Sequence, residues 1–290
     1  MIHLVGMGAM GAMTAFKLEE IGKDFTWEDN NSEFTAWRAS TGAVFPTGEE
    51  GDMRCLNQYE KFSACFPDKV VSKNDWVYGA KKPPHKANFV NSREVDHLKI
   101  LSCPCYNVDV QLLVESAREK FANKRKAYDG KSKRVISHGF SDRMTHCYWG
   151  WCRKVQLEMD DRLNVNSAFY FRYQRFFIRY AYPIGGSGWW YAGSTITKQK
   201  NPKSCPDRPA KEYKRWKKDF LELTGGLVTV SKESEFIEGW RPAIGGMHDQ
   251  SEEQYKVLAN PDNGDIVFPS RSHDGIRRFP DIWNQLLLWL

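Results

Sequence analysis

The feature that most constrains the fold is a glycine-rich turn near the amino terminus, Gly6-Met7-Gly8-Ala9-Met10-Gly11. It follows the apolar segment Ile2–Val5, which predicts a strand. Residues 12–21 come next with helical spacing of their apolar side chains, and residues 25–27 predict a second strand. A strand, a GxGxxG turn, a helix and a second strand within roughly thirty residues are typical of a dinucleotide-binding unit.

Each glycine of this turn has a physical role. Gly6 permits the tight turn, Gly8 lets the backbone approach a pyrophosphate, and Gly11 lets the helix pack closely on the strand. The helix that follows offers unpaired N–H groups and the positive end of its dipole to phosphates. Glu28 and Asp29 follow the second strand, where an acid can accept the ribose hydroxyls. The motif by itself does not separate NAD from FAD.

Composition limits the class of protein. The chain has 290 residues, of which 41% are hydrophobic and 14% aromatic, so a globular protein with a substantial core is expected. The sequence has no apolar run of the roughly 20 residues that a membrane span needs and no secretory pattern, so we expect a cytoplasmic protein. The seven cysteines are read as reduced thiols, and no metal site is predicted.

The net charge of +6 is concentrated in two basic clusters, residues 120–134 and residues 198–218. Tyr213 and Trp216 lie inside the second cluster. Basic residues interleaved with aromatic ones can neutralise phosphates and stack on bases, which favours contact with nucleic acid. The alternative is a solvated helix face followed by a loop.

The rest of the chain predicts a mixed architecture. Residues 146–200 have the alternation and turns of an antiparallel sheet. Shorter strands are predicted at 74–79, 87–90, 134–137, 236–240 and 265–268, and helices at 108–121, 208–224 and 281–290.

Six segments occur in an order that is characteristic of one family. They are 35–42 (TAWRASTG), 107–109 (NVD), 134–141 (RVISHGFS), 180–195 (YAYP followed by a glycine-rich return), 239–242 (GWRP) and 270–276 (SRSHDGI). Together they resemble the FAD-dependent D-amino acid oxidase superfamily, most closely its glycine oxidase and sarcosine oxidase branch. Ser270 departs from the family pattern, which has glycine there.

The resemblance implies an α/β fold with a Rossmann-like FAD-binding domain (GR2-type) and an antiparallel β-sheet substrate domain. It implies a discontinuous FAD-binding domain of residues 1–50, 95–145 and 255–290, with 51–94 and 146–254 binding substrate. FAD is expected to bind without a covalent link. The expected cofactor-binding residues are Gly6, Gly8, Ala9, Met10, Gly11, Glu28, Asp29, Trp37, Arg38, Ala39, Ser40, Thr41, Gly42, Arg271, Ser272, His273, Asp274, Gly275 and Ile276.

The activity that the resemblance implies is oxidation of a C–N bond in an amine or amino acid, with the flavin as acceptor. Arg241 matches the family's carboxylate-binding arginine, and a planar guanidinium suits that role. Tyr180 falls near the family's substrate-contacting tyrosine, and His273 lies in the loop expected near the flavin. Trp149 and Trp151 are expected to pack in the core, the alternative being a wall of the active site or a stack on a base.

Two substrate classes remain open. One is a glycine-type group attached to a modified uridine or thymidine in nucleic acid, which the two basic clusters and the 11 tryptophans favour. The other is a free small amino acid or secondary amine, such as glycine or sarcosine. A non-catalytic flavin-fold binding protein and an NAD-dependent dehydrogenase are further alternatives, and the sequence does not indicate an oligomeric state.

Overall fold

The structure is a computed structural model that describes residues 1–30, 35–45, 50–78, 92–137, 146–174, 177–193, 197–199, 208–243, 256–268 and 275–290. Its helices are α1 Ala9–Glu20, α2 Glu50–Phe62, α3 Val110–Lys120, α4 Arg208–Leu223 and α5 Gly275–Leu287. Its strands are β1 Ile2–Val5, β2 Phe25–Glu28, β3 Ala43–Val44, β4 Val71–Tyr78, β5 Ser92–Val95, β6 Leu98–Val108, β7 Lys133–Ile136, β8 His146–Met159, β9 Ala168–Gln174, β10 Phe177–Pro183, β11 Trp190–Gly193, β12 Thr197–Gln199, β13 Val228–Ala243, β14 Leu258–Ala259 and β15 Ile266–Val267.

The first sheet has the order β14-β15-β7-β1-β2. Strands β15, β7, β1 and β2 run parallel, and β14 joins the edge in the antiparallel direction. Helix α1 connects β1 to β2, which are adjacent and in register from Ile2 with Phe25 to Val5 with Glu28. The predicted strand–turn–helix–strand unit is therefore confirmed, and its glycine turn lies at the carboxyl end of β1, where parallel sheets bind ligands.

The helices beside this sheet bury their apolar side chains in one core. Helix α1 buries small and apolar side chains such as Ala12, Ala15 and Leu18 among residues of β1, α3 and α5. Asp109 caps the amino terminus of helix α3, because its carboxylate accepts the N–H of Leu112 at 3.1 Å. The indole of Trp27 donates to the carbonyl of Phe121 at 2.7 Å and ties β2 to the end of α3.

The second sheet is mostly antiparallel and has the order β12-β8-β11-β10-β9-β4-β6-β3, with β13 paired to β8 and β5 to β6. Side chains on one face of β8 alternate with those on the other. Trp149 and Trp151 lie on the face that α4 covers with Tyr213 and Trp216, and all four side chains are buried. Cys152 lies on the opposite face and packs with Ala39, a residue of the loop that follows β2.

Helix α5 departs from the sequence prediction around a proline. Helix α5 begins at Gly275 instead of 281 and contains Pro280. Proline has no N–H for the carbonyl four residues earlier, and the Tyr59 hydroxyl donates to that carbonyl, Ile276 O, at 3.3 Å. Helix α2 and strand β6 were not predicted at all, and the strand predicted at 87–90 lies outside the described residues. No helix among the described residues is long and apolar enough to cross a membrane.

Candidate cofactor and substrate site

The glycine turn has the geometry that its spacing predicts. Gly6 has φ +99° and donates its N–H to Glu28 O at 2.8 Å. A Cβ on Gly11 would lie 2.0 Å from Gly6 O, so only glycine lets α1 approach the turn this closely. The hydroxyl of Ser137, which follows β7, donates to Gly6 O at 2.7 Å and fixes the turn from the other side.

The amino terminus of α1 is suited to an anion. Gly8 is its cap residue, no side chain caps it, and its first turn, which starts with Ala9 and Met10, carries no acid. The first turn of α1 itself therefore places no carboxylate beside its N–H groups and the positive end of the helix dipole. The Trp37 ring lies beside Gly8, since a Cβ on Gly8 would be 3.4 Å from Trp37 Cδ1.

The two candidate ribose-binding acids face different surroundings. The Asp29 carboxylate accepts the N–H of Met7, inside the glycine turn, at 3.0 Å. Glu28 instead accepts the N–H of Tyr128 at 3.3 Å and lies 3.5 Å from His3 Nε2. Asp29 is thus the acid that borders the turn, which favours it over Glu28 for the ribose.

The small-residue loop that follows β2 is held against the start of α3. It contains a short 3₁₀ turn over Trp37–Ala39, and Gln111 donates to Arg38 O at 2.6 Å. Gly42, at φ +59°, accepts the N–H of Val108 at 2.9 Å, and a Cβ there would lie 1.9 Å from Val108 O. Ser40 and Thr41 lie between these two anchors, so the backbone of the loop is held at the end of β6 and the start of α3.

The same loop contacts the long strand β13. A Cβ on Gly239 would lie 2.7 Å from Ala39 Cβ and 3.1 Å from Thr35 O. Arg241 is two residues further along, on the same face of the strand, and its backbone is in register with Tyr148 of β8. The structure describes the backbone of Arg241 and not its side chain.

Tyr180 lies on β10 opposite Gly193 of β11. Its ring occupies the space over that glycine, because a Cβ on Gly193 would be 2.1 Å from the tyrosine oxygen. The ring stacks on Tyr182 at 4.8 Å, and further ring contacts lead through Trp76 to Phe45. This aromatic row connects Tyr180, which is half-buried, to the end of the small-residue loop.

The carboxyl-terminal loop is described only at its end. Arg271, Ser272, His273 and Asp274 lie outside the described residues, while Gly275 begins α5 and Ile276 packs against the first core. Arg277 follows at once, with its guanidinium carbon 5.2 Å from the Phe45 ring centre. Phe45, just beyond the small-residue loop, and the start of α5 therefore meet, as expected if both chain ends build one site.

The structure adds one residue that sequence reasoning missed. Arg118, in the last turn of α3, donates from Nη2 to Asp29 Oδ2 at 2.6 Å and from Nε to Met7 O at 3.3 Å. Nothing in the local pattern distinguishes it from the neighbouring basic residues. Only the packing of α3 beside α1 brings it to the turn.

The structure also decides the role of several aromatic residues. Trp149 and Trp151 are 0% and 1% exposed, which confirms the core-packing prediction for both. Tyr213 and Trp216 of the second basic cluster are buried too, so neither is available to stack on a base. In the first basic cluster, Lys120 pairs with Glu19 and Arg134 pairs with Asp265.

Several solved oxidase structures share this fold. Glycine oxidase from Bacillus cereus matches with a TM-score of 0.67 and 14% identity over 99% of this chain and 93% of its own. Iminodiacetate oxidase from Chelativorans sp. BNC1 matches with a TM-score of 0.65 and 14% identity over 98% and 93%. L-α-glycerophosphate oxidase from Mycoplasma pneumoniae, solved with FAD bound, matches with a TM-score of 0.66 and 12% identity over 100% and 94%.

The chain therefore has the fold of these three oxidases, and the α/β fold predicted from the sequence is confirmed. No protein-family model and no curated protein sequence match the chain. At these identities the likeness establishes the fold, while the activity has to be argued from the site.

Proposed function

We propose that the chain binds FAD without a covalent link and oxidises a C–N bond of an amine or amino-acid group. The observation that carries the proposal is the glycine turn, with an uncapped, acid-free start of α1 and Asp29 at its border. These features fit a pyrophosphate and a ribose, and they occur in a fold that glycine oxidase and iminodiacetate oxidase share over almost their full length. When bound there, FAD supplies the hydride-accepting chemistry.

The proposed substrate side is the face of β13, β8 and β10 that meets the small-residue loop. Arg241 would bind a substrate carboxylate through paired N–H donors, and its strand position, two residues beyond Gly239, supports that role. Tyr180 would bound the substrate from the adjacent strands, and His273 would approach from the carboxyl-terminal loop. The proposed division is a cofactor domain of 1–50, 95–145 and 255–290 and a substrate domain of 51–94 and 146–254.

For the substrate we favour a glycine-type group attached to a modified uridine or thymidine in nucleic acid. The observation that favours it is the exposed face of α4, where Lys211, Lys214 and Arg215 point to solvent. Within the described part of the chain these three cations have no acidic partner. Such a face can attract a phosphate backbone and draw a polymer-linked substrate towards the sheet.

Free glycine, sarcosine or a similar small amine is the alternative substrate, and the matching glycine oxidase and iminodiacetate oxidase structures favour it. One experiment separates the two. The purified protein is tested for a flavin absorbance spectrum, and then for anaerobic bleaching by glycine, sarcosine and a glycine-modified oligonucleotide in parallel.

Bleaching by the oligonucleotide alone supports the favoured substrate, and bleaching by the free amines alone supports the alternative. A flavin that none of the three reduces would point to a non-catalytic flavin protein. A protein that binds no flavin, or binds a nicotinamide cofactor instead, would overturn the proposal. Charge reversal at Lys211, Lys214 and Arg215 should weaken oligonucleotide binding in a salt-dependent way, whereas reversal at Lys23, which is exposed and lies outside both basic clusters, should not.

A further inference from the structure

We infer that Arg118 binds the ADP half of FAD, as one side of a clamp formed by the guanidinium groups of Arg118 and Arg38 around the Trp37 indole. This inference rests on the proposed function, because it assigns a residue to the same cofactor site. Neither the six sequence segments nor the glycine motif includes Arg118.

The guanidinium of Arg118 is already held at the glycine turn. Its Nε donates to Met7 O, and its Nη2 donates to the Asp29 carboxylate, which itself accepts the Met7 N–H. Arg118 therefore binds the backbone oxygen of Met7, while Asp29 binds the backbone N–H of the same residue. A planar group fixed by two of its donors loses little entropy when the remaining donors meet a ligand.

Arg118 also retains a hydrogen-bond donor that could meet a ligand. Within the described part of the chain, Nη1 of Arg118 has no hydrogen-bond partner, and the side chain is 27% exposed. An arginine next to a pyrophosphate cradle with an unused donor is a ready partner for a phosphate or ribose oxygen. Because the Arg118 side chain is partly exposed, it remains accessible from solvent.

Two positive charges lie beside the Trp37 ring. The guanidinium carbons of Arg118 and Arg38 lie 5.3 Å and 5.7 Å from the Trp37 ring centre, and the same ring borders Gly8. Cations near an indole face are attracted to it, so the ring holds both groups beside the amino terminus of α1. Two positive charges there oppose the two negative charges of a diphosphate, whereas Asp29 alone would repel it.

A purely structural role would predict something different. The Arg118–Asp29 pair is partly buried, with side chains 27% and 9% exposed, so loss of the pair would lower the free energy of unfolding. A purely structural role would leave the intrinsic affinity for the cofactor unchanged. Cofactor affinity, measured apart from activity, therefore separates the two roles.

The test measures FAD and ADP dissociation constants of the apoprotein by titration, with unfolding of each apoprotein variant followed by circular dichroism. Arg118→Ala should weaken both FAD and ADP by about 10- to 100-fold, the value of a charge-assisted hydrogen bond, and should reduce the salt dependence of binding. Arg118→Gln, which removes the charge with less loss of packing, should give the same direction of change. Arg125→Ala is the matched control, since its guanidinium also lies 5.3 Å from an indole, that of Trp27, away from the turn.

Equal FAD affinity in the wild type and in both Arg118 variants would overturn the inference while leaving the proposed function intact. An effect on FAD without one on ADP, or an equal loss in Arg125→Ala, would overturn it as well. A wild-type apoprotein that binds no FAD would overturn the proposed function and this inference together, so the two failures are distinguishable.

Discussion

Replacing Gly8 by alanine tests the cofactor cradle while disturbing little else. Gly8 has φ −84° and ψ −164°, a conformation that alanine adopts freely, and the new methyl would meet Trp37 Cδ1 at an ordinary contact distance of 3.4 Å. Alanine is a poorer helix cap than glycine, at a cost of about 0.5–1 kcal/mol, and it restricts the unfolded chain by a similar amount. The free energy of unfolding should therefore change by less than about 1 kcal/mol.

The same methyl would stand between the turn and a bound pyrophosphate. Forcing a methyl into a filled site costs about 1–3 kcal/mol, which corresponds to a loss of FAD affinity of roughly 5- to 150-fold. The assay is titration of the Gly8→Ala apoprotein with FAD, together with urea unfolding to verify the intact fold. If Gly8→Ala is as stable as the wild type and also binds FAD equally well, the pyrophosphate does not lie over Gly8 and the reasoning is refuted.

Three further outcomes are expected. Gly11→Ala places a Cβ 2.0 Å from the backbone oxygen of Gly6. The substitution should therefore lower the free energy of unfolding, measured in urea titrations, by about 3 kcal/mol or more. A stability equal to that of Gly8→Ala would contradict the close packing of α1 on the turn. Gly193→Ala displaces the Tyr180 ring, because the tyrosine oxygen would lie 2.1 Å from the new carbon. The value of kcat/KM for the identified amine should therefore fall, while the FAD dissociation constant stays unchanged. Unaltered turnover would show that Tyr180 does not belong to the substrate site. Hydrogen bonds from the Ser132 and Lys131 N–H groups lower the pKa of Asp129 from 3.8 to about 2. The ionised Asp129 carboxylate therefore stabilises the fold above about pH 4, and this stabilisation is lost as the pH falls towards 2. A titration midpoint near 4 for this carboxyl group in nuclear magnetic resonance would contradict the prediction.

What could be predicted from the sequence is mostly local. The glycine turn and the helices predicted over 12–21 and 108–121 are each set by residues within one or two helical turns, and the structure has them close to where they were expected. Helix α4, predicted over 208–224, is found at Arg208–Leu223, because its buried Tyr213, Trp216 and Phe220 follow the helical period.

Two prolines lie inside elements that the sequence did not predict, namely β6 and the first part of α5. Pro104 argues against a strand, yet β6 passes through it where the register with β4 shifts between Asn74 and Trp76. Pro280 predicts a helix start, yet α5 continues back to Gly275, and Tyr59 satisfies the carbonyl that the proline leaves unbonded. Both compensating partners are distant in sequence, so no local pattern could indicate them.

Arg118 was out of reach of the sequence for a related reason. Its partners, Met7 and Asp29, lie 111 and 89 residues away along the chain. A basic residue in the last turn of a helix is ordinary, because it complements the helix dipole. Only the packing of α3 next to α1 gives this one a position at the cofactor cradle.

The tryptophans show how the structure sharpens the question of substrate. Their number favoured nucleic acid at the sequence level, but alternation along β8 places Trp149 and Trp151 on the face that α4 covers. The part of that hypothesis that the structure supports is charge: the cations of α4 face solvent while its aromatic residues face the core. Contact through phosphates alone positions a polymer without reading its bases. A nucleic-acid substrate would therefore be recognised in two separate places, its backbone at α4 and its amino-acid group beside the flavin, and binding should depend steeply on salt and weakly on base sequence.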